Sequence, residues 1–318
     1  MKLIIQIPCY NEAEQLPATL AELPRDVPGF SCVEWLVIDD GSEDGTAEVA
    51  RACGVDHVVR LPRNRGLAAG FMAGLEAALR AGADVIVNTD ADNQYDAACI
   101  PDLTAPILRG EAQMVVGRRP IAEIAHFSPL KKLLQRLGSW AVQIAAGIEA
   151  PDAPSGFRAI HRDAAVRLYV FNRHTYTLET LIQAGRLGIP VAWVPIRTNP
   201  PTRPSRLIRS VAGYVWRSAA VIVRVFALYN PLRFFGALAA LFLAPGVWAF
   251  GRFAWFWAAG DGAGHVQSLA IGSGLMAVGG ALAVGGLLAD MAAANRTLLA
   301  ELRSRQLLAE LPCTERRN

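Results

Sequence analysis

The first ninety residues repeat one unit four times, an apolar run of strand length followed by a polar turn and then a helical stretch. Lys2 to Ile7 runs into Pro8, Tyr10, Asn11 and Glu12, with Asn11 expected to start a helix whose first turn carries Glu12 and Glu14. Trp35 to Ile38 leads into Asp39, Asp40, Gly41 and Ser42, and a helix opens near Thr46. Val58 and Val59 lead into a basic turn from Arg60 to Gly66, then an alanine-rich helix to about Arg80. Val85 to Val87 leads into Asn88 and the polar residues up to Gln94. Strands separated by helices need crossover connections, so they run parallel, and a parallel sheet gathers the turns after its strands at one edge, where ligands bind. The expected class is therefore α/β, with a parallel sheet and crossover helices.

The fourth turn carries the most specific chemistry. Asp90 and Asp92 lie one residue apart as a strand ends, and side chains two apart on an extended chain share a face. Two carboxylates so placed suit Mg²⁺ or Mn²⁺, which takes oxygen ligands and keeps positions open for substrate phosphates; Gln94 can add a neutral oxygen. The other reading is an ordinary turn in which each aspartate bonds its own backbone.

The segments IPCYNE, IDDGSEDGT, RNRGLAAG, NTDADNQYD and DAPSGFRAIHR, in that order, resemble the motifs of glycosyltransferase family 2. Within it they are most similar to the branch of dolichyl-phosphate mannosyltransferase and the bacterial polyprenyl-phosphate glycosyltransferases. The resemblance covers about residues 1–230. It implies an α/β catalytic domain of the GT-A type, with a Rossmann-like, mostly parallel sheet, and a nucleotide diphosphate sugar as donor. It also implies roles: Pro8, Tyr10, Asn11 and Glu12 in the first nucleotide-contacting turn, Asp39 or Asp40 at the nucleoside, and Asp90, Asp92 and Gln94 at the metal. Arg118 and Arg119, which follow the apolar strand Met114 to Val116, correspond to a family arginine near the phosphates, and arginine grips phosphate bidentately where lysine cannot. Asp152 is the carboxylate implied nearest the acceptor, as an orienting group or a base, with Glu179 second. Lys131 and Lys132, on an amphipathic segment from Phe127 to Ile148, fall where the family contacts the acceptor phosphate; a wet basic helix face is the plainer reading.

Composition points to a membrane. Hydrophobic residues make up 53% of the chain and charged ones 19%, too apolar a balance for a wholly soluble protein. The excess lies late: Asn230 and Pro231 read as a helix start, Phe234 to Phe250 carries no charge, and a second uncharged run extends from Val266 to Ala289. Arg217, Arg224 and Arg233 precede this pair and Arg296, Arg303 and Arg305 follow it, so both flanks are expected on the cytoplasmic side. The expected order is a cytoplasmic catalytic domain at 1–200, basic amphipathic helices on the inner leaflet at 201–230, spans at 231–259 and 266–289, and a charged cytoplasmic tail at 290–318 suited to self-association. The five cysteines form no Cys-x-x-Cys pair, which argues against a zinc site or a disulfide framework. No cleavable signal opens the chain, which goes straight into a core strand.

Together these readings describe a metal-dependent, inverting glycosyltransferase of the cytoplasmic membrane. It would move one sugar to a polyprenyl phosphate, with no nucleic-acid partner. The alternatives are a processive polysaccharide synthase, which lacks support because no Gln-x-x-Arg-Trp signature is present, and a catalytically dead membrane scaffold, opposed by the intact Asp90, Asp92 and Asp152.

Overall fold

The computed structural model describes residues 1–120, 138–140, 142–170, 176–200, 220, 223–224, 226–260 and 263–311. The chain divides into two compact units, Met1–Ser218 with Ala300–Asn318, and Ala219–Leu299. In the first, β1 (Lys2–Cys9), β2 (Cys32–Asp39), β3 (His57–Arg60), β4 (Val85–Asn88), β5 (Met114–Arg118), β6 (Arg158–His161) and β7 (Val191–Pro195) form one sheet in the order β3-β2-β1-β4-β6-β5-β7. β1 runs parallel to β2 and β4, β2 to β3, and β5 to β7. Only β6 is reversed, antiparallel to both β4 and β5. That reversal positions the site, because the amino end of β6 then lies beside the carboxyl ends of its neighbours: Arg158 pairs with Asn88 on one side and Val116 on the other.

The central strands read as largely apolar runs because helices cover both faces of a parallel sheet. Leu3, Ile4, Ile5, Ile7 and Val85 to Val87 are wholly buried. The covering helices are α1 (Leu16–Glu22), α2 (Thr46–Ala52), α3 (Leu67–Arg80), α4 (Ile100–Leu108), α5 (Arg162–Arg167) and α6 (Thr177–Arg186). α3 buries Phe71, Leu75, Ala78 and Leu79 and approaches β1 and β2 so closely that a Cβ on Gly74 would stand 2.5 Å from Gln6 Oε1 and 2.7 Å from Ile38 Cδ1.

One expected boundary moves. Asn11 does not start a helix; its φ is 54° and α1 begins at Leu16. The cause is a competing use of its polar groups. The Asn11 amide donates to Ser42 Oγ at 2.9 Å, and its side-chain oxygen accepts from the Glu43 amide at 3.0 Å. Asparagine tolerates the left-handed region at low cost, so the turn is tied across to β2.

The second unit contains α7 (Pro231–Ala258) and most of α8 (Val266–Glu310), both long and apolar enough to cross a membrane. Three glycines spaced seven apart on α8 face α7. A Cβ on Gly272 would meet Phe250 at 2.9 Å, one on Gly279 would meet Leu243 at 2.6 Å, and one on Gly286 would meet Phe235 at 2.8 Å. Small residues at this spacing let two helix backbones pack directly. α8 continues unbroken past residue 289, and its final turns belong to the first unit. There Leu307 and Leu311 are buried, Arg303 pairs with Glu76 and Glu310 with Arg80, each at 3.3 Å, and the Arg303 guanidinium stands 4.6 Å from the Tyr169 ring centroid.

Candidate active site at the carboxyl edge of the sheet

Four turns and one loop meet at this edge. Behind β2, Asp39 and Asp40 are both buried but hold different partners. Asp40 accepts the amides of Arg65 and Gly66, each at 2.8 Å, and so fastens the basic turn that opens α3. Asp39 Oδ1 accepts from the Ser42 amide at 2.8 Å; its Oδ2 lies 3.4 Å from Arg60 Nε and accepts no hydrogen bond among the described residues. A buried acceptor left open is costly unless something fills it, so of the two aspartates Asp39 has capacity for a ligand. The turns themselves are rigid. Gly41 has φ 73°, and a Cβ there would lie 2.5 Å from the Arg63 carbonyl carbon. Pro8 is buried at the end of β1, Tyr10 is 42% exposed beyond it, and the Glu12 amide donates to Thr46 Oγ1 at 3.0 Å.

Beyond β4, Asp90 is half-buried and Asp92 follows it in a turn held by Asn93 at φ 55°. Asp92 Oδ1 accepts from the Gln94 amide at 3.2 Å, and the turn is pinned from outside by Asn199, whose amide donates to the Gln94 carbonyl at 2.9 Å. Burial first, and the Asp92 charge second, push the Asp90 carboxyl up to about 7, while Arg119 and Arg158 pull it the other way. Two carboxylates in one turn, the charge of one raising the other, fit a divalent cation by the chemistry of the donor set. No third His, Cys, Asp or Glu joins them among the described residues, and Gln94 is exposed, so a cation here would keep positions for oxygens that are not the protein's.

The end of β5 and the loop that leads into the reversed strand supply further charged groups. Asp152 is fully buried, and Arg119 grips it with both prongs, Nε to Oδ2 and Nη2 to Oδ1 at 2.8 Å each, while the Arg119 amide adds a third contact at 3.1 Å. Arg118, one residue earlier, is exposed and makes no side-chain ion pair among the described residues. The two adjacent arginines thus divide the work, one locked to the loop and one open. Glu179 is buried in the first turn of α6. Lys131 and Lys132 lie outside the described residues; the same amphipathic segment is helical at 138–140 and 142–146.

The sequence matches the model of Glycosyl transferase family 2 over residues 4–168, more than half of the 318. The chain belongs to glycosyl transferase family 2. The matched stretch takes in the β1, β2 and β4 turns, Arg118, Arg119 and the Asp152 loop, which are the parts that converge at the carboxyl edge. A protein named undecaprenyl-phosphate mannosyltransferase, from Micrococcus luteus, is 31% identical over 206 residues, 62% of this chain and 83% of that protein. The polyprenol monophosphomannose synthase of Mycolicibacterium smegmatis is 28% identical over 172 residues, 52% of this chain and 63% of that one. The fold is shared with glucosyl-3-phosphoglycerate synthase of Mycobacterium tuberculosis, solved with Mn²⁺, UDP and glucosyl-3-phosphoglycerate, at a TM-score of 0.55 and 22% identity over 72% of this chain and 80% of that one.

Beneath this glycosyltransferase site lies a buried polar layer to which the motifs alone assign no role. Gln6 Nε2 donates to Asn88 Oδ1 at 2.8 Å, Asn88 Nδ2 donates to the Gly156 carbonyl at 2.9 Å and the Tyr176 hydroxyl at 2.8 Å, and the Gly156 amide donates to the Tyr95 hydroxyl at 3.0 Å. Its signal in the sequence is faint but present, since Gln6 interrupts the apolar run of β1 and Asn88 closes that of β4.

Proposed function

We propose that this glycosyltransferase moves a single sugar from a nucleotide diphosphate sugar to a membrane polyprenyl phosphate, with inversion at the anomeric carbon, in a metal-dependent reaction on the cytoplasmic face. The observation that carries the reading is the meeting, at one sheet edge, of two carboxylates of one turn, an open arginine and a carboxylate already locked to a second arginine. In this reading the turns after β1 and β2 hold the nucleoside, with Asp39 Oδ2 taking the hydrogen bond it lacks. Asp90 and Asp92, with Gln94 alongside, hold Mg²⁺ or Mn²⁺, which when bound offsets charge on the departing diphosphate. Arg118 supplies a second positive group to the phosphates.

The acceptor's chemistry explains the state of Asp152. A phosphate monoester has a second pKa near ~6 and is largely ionised at neutral pH, so its oxygen attacks without a strong base. A carboxylate with both oxygens held by Arg119 is suited to orienting an acceptor and poorly placed to take a proton. The names of the relatives from Micrococcus luteus and Mycolicibacterium smegmatis support a polyprenyl acceptor, and the two apolar helices support a membrane setting.

The test compares a short polyprenyl phosphate with the same polyprenol lacking phosphate, each offered with UDP- and GDP-sugars, with and without EDTA. Transfer to the phosphate alone, abolished by EDTA and restored by Mn²⁺ or Mg²⁺, is the expected result. Equal transfer to the alcohol, or full activity in EDTA, would overturn the acceptor or the metal respectively.

A further inference from the structure

Arg158 is wholly buried at the start of β6, and no carboxylate lies within ion-pair distance of it among the described residues. A buried cation without a counterion is expensive, and the protein compensates it with oxygens and an aromatic face. Nε donates to the Ser155 carbonyl at 2.8 Å, Nη2 to the Ala153 carbonyl at 2.9 Å, Nη1 to Thr180 Oγ1, and the Tyr176 ring centroid is 5.8 Å away. Burial pushes the guanidinium down to about 10, so it remains charged at neutral pH. The two carbonyls straddle Pro154, so one rigid fork fixes the whole turn that follows Asp152.

The far side of that turn is Asp90. A Cβ on Gly156 would lie 3.3 and 3.4 Å from the two Asp90 carboxylate oxygens and 2.8 Å from the Tyr176 hydroxyl, so the loop backbone is packed directly against the carboxylate. Its near end is Asp152, locked to Arg119. A displacement of the loop therefore moves both carboxylates with respect to each other.

We propose that Arg158 is a positioning residue for sugar transfer: by clamping the carbonyls of Ala153 and Ser155 it sets the spacing between Asp90 and Asp152 without touching substrate. This rests on the reading of Asp90 as a metal ligand and Asp152 as an acceptor-side group. Catalytic groups misplaced by about 1 Å cost on the order of 10²-fold in rate, which sets the size of the expected effect.

Arg158→Lys keeps the charge and loses the fork. The expected result is a folded protein with kcat reduced about 100-fold, KM for donor and for acceptor nearly unchanged, and Mn²⁺ bound several-fold more weakly when free ion is counted by electron paramagnetic resonance on the substrate-free protein. Gly156→Ala pushes the same loop from its Asp90 side and is expected to give the same signature, which covers the case in which the lysine variant fails to fold. A purely structural arginine would lower the melting temperature and leave kcat per folded molecule and Mn²⁺ affinity intact, and that outcome in either folded variant overturns the proposal. Failure of the underlying reading looks different: the unaltered enzyme would then bind no Mn²⁺ and transfer no sugar to the lipid phosphate.

Discussion

The Asp92 charge adds to burial in raising the Asp90 carboxyl, and this conflict makes a testable difference between stability and activity. Asp92→Asn is near-isosteric and removes one charge. It should raise the melting temperature of the metal-free protein, abolish the stabilisation that Mn²⁺ gives the unaltered enzyme, and lower turnover on the order of 10²-fold or more. Thermal unfolding with and without Mn²⁺, beside a transfer assay, checks all three; retained activity would make the aspartates structural. The sequence led to the expectation of two carboxylates sharing a face as a strand ends, whereas β4 stops at Asn88 and both lie beyond it, Asp92 in the turn itself. The Arg119–Asp152 lock was not legible, because it joins residues 33 apart, one just after β5 and one in the loop before β6, a pairing no local pattern encodes. Reading alone left Arg118 and Arg119 equivalent, and Asp39 and Asp40 likewise; hydrogen bonding separates each pair. Lys131 and Lys132 remain proposals drawn from the sequence. Replacing both with alanine is expected to raise the apparent KM for polyprenyl phosphate about tenfold or more and leave that for the donor unchanged, as steady-state kinetics would show.

Among the elements, β1 to β4 and their turns follow from apolar runs punctuated by polar residues, and the structure has them in parallel as expected. α1 starts late because Asn11 spends its hydrogen bonds on the neighbouring turn, a tertiary use that helix-start rules do not contain. The two apolar helices were legible from length, whereas the face they share was not. Gly279 and Gly280 separate these cases. A leucine at 279 collides with Leu243 and with the Ala239 carbonyl, while nothing lies within 4 Å of a Cβ at 280. Gly279→Leu should destabilise the helix pair by roughly 1–3 kcal/mol and Gly280→Leu by much less, measured as unfolding in mild detergent. Equal effects would show that the glycines are not the packing seam.

At the scale of the whole chain, the last turns of α8 fold with the amino-terminal unit, so both ends of the protein belong to one body. The sequence suggested a charged helical tail without its docking site, since the groups these turns pair with lie more than two hundred residues away. The ion pairs at Glu76 and Arg80 are partly exposed and worth little, about 0–1 kcal/mol each. Leu307 is buried, and Leu307→Ala should cost about 2–4 kcal/mol in the stability of the catalytic unit, well beyond Arg303→Ala, as chemical denaturation would resolve. With α7 and α8 proposed as two membrane spans, the stretches before and after them fall on one side. Tags at Met1 and after Asn318 should both be protected from protease in sealed cells, and a tag near Gly262 should be cut from outside. The central claim, one sugar onto a lipid phosphate, is tested most directly by mass spectrometry of the lipid after long incubation of purified enzyme with excess donor and a short polyprenyl phosphate. The account predicts a lipid heavier by one sugar and no more. A ladder of longer adducts, or sugar on a soluble phosphorylated acceptor with none on the lipid, would contradict it.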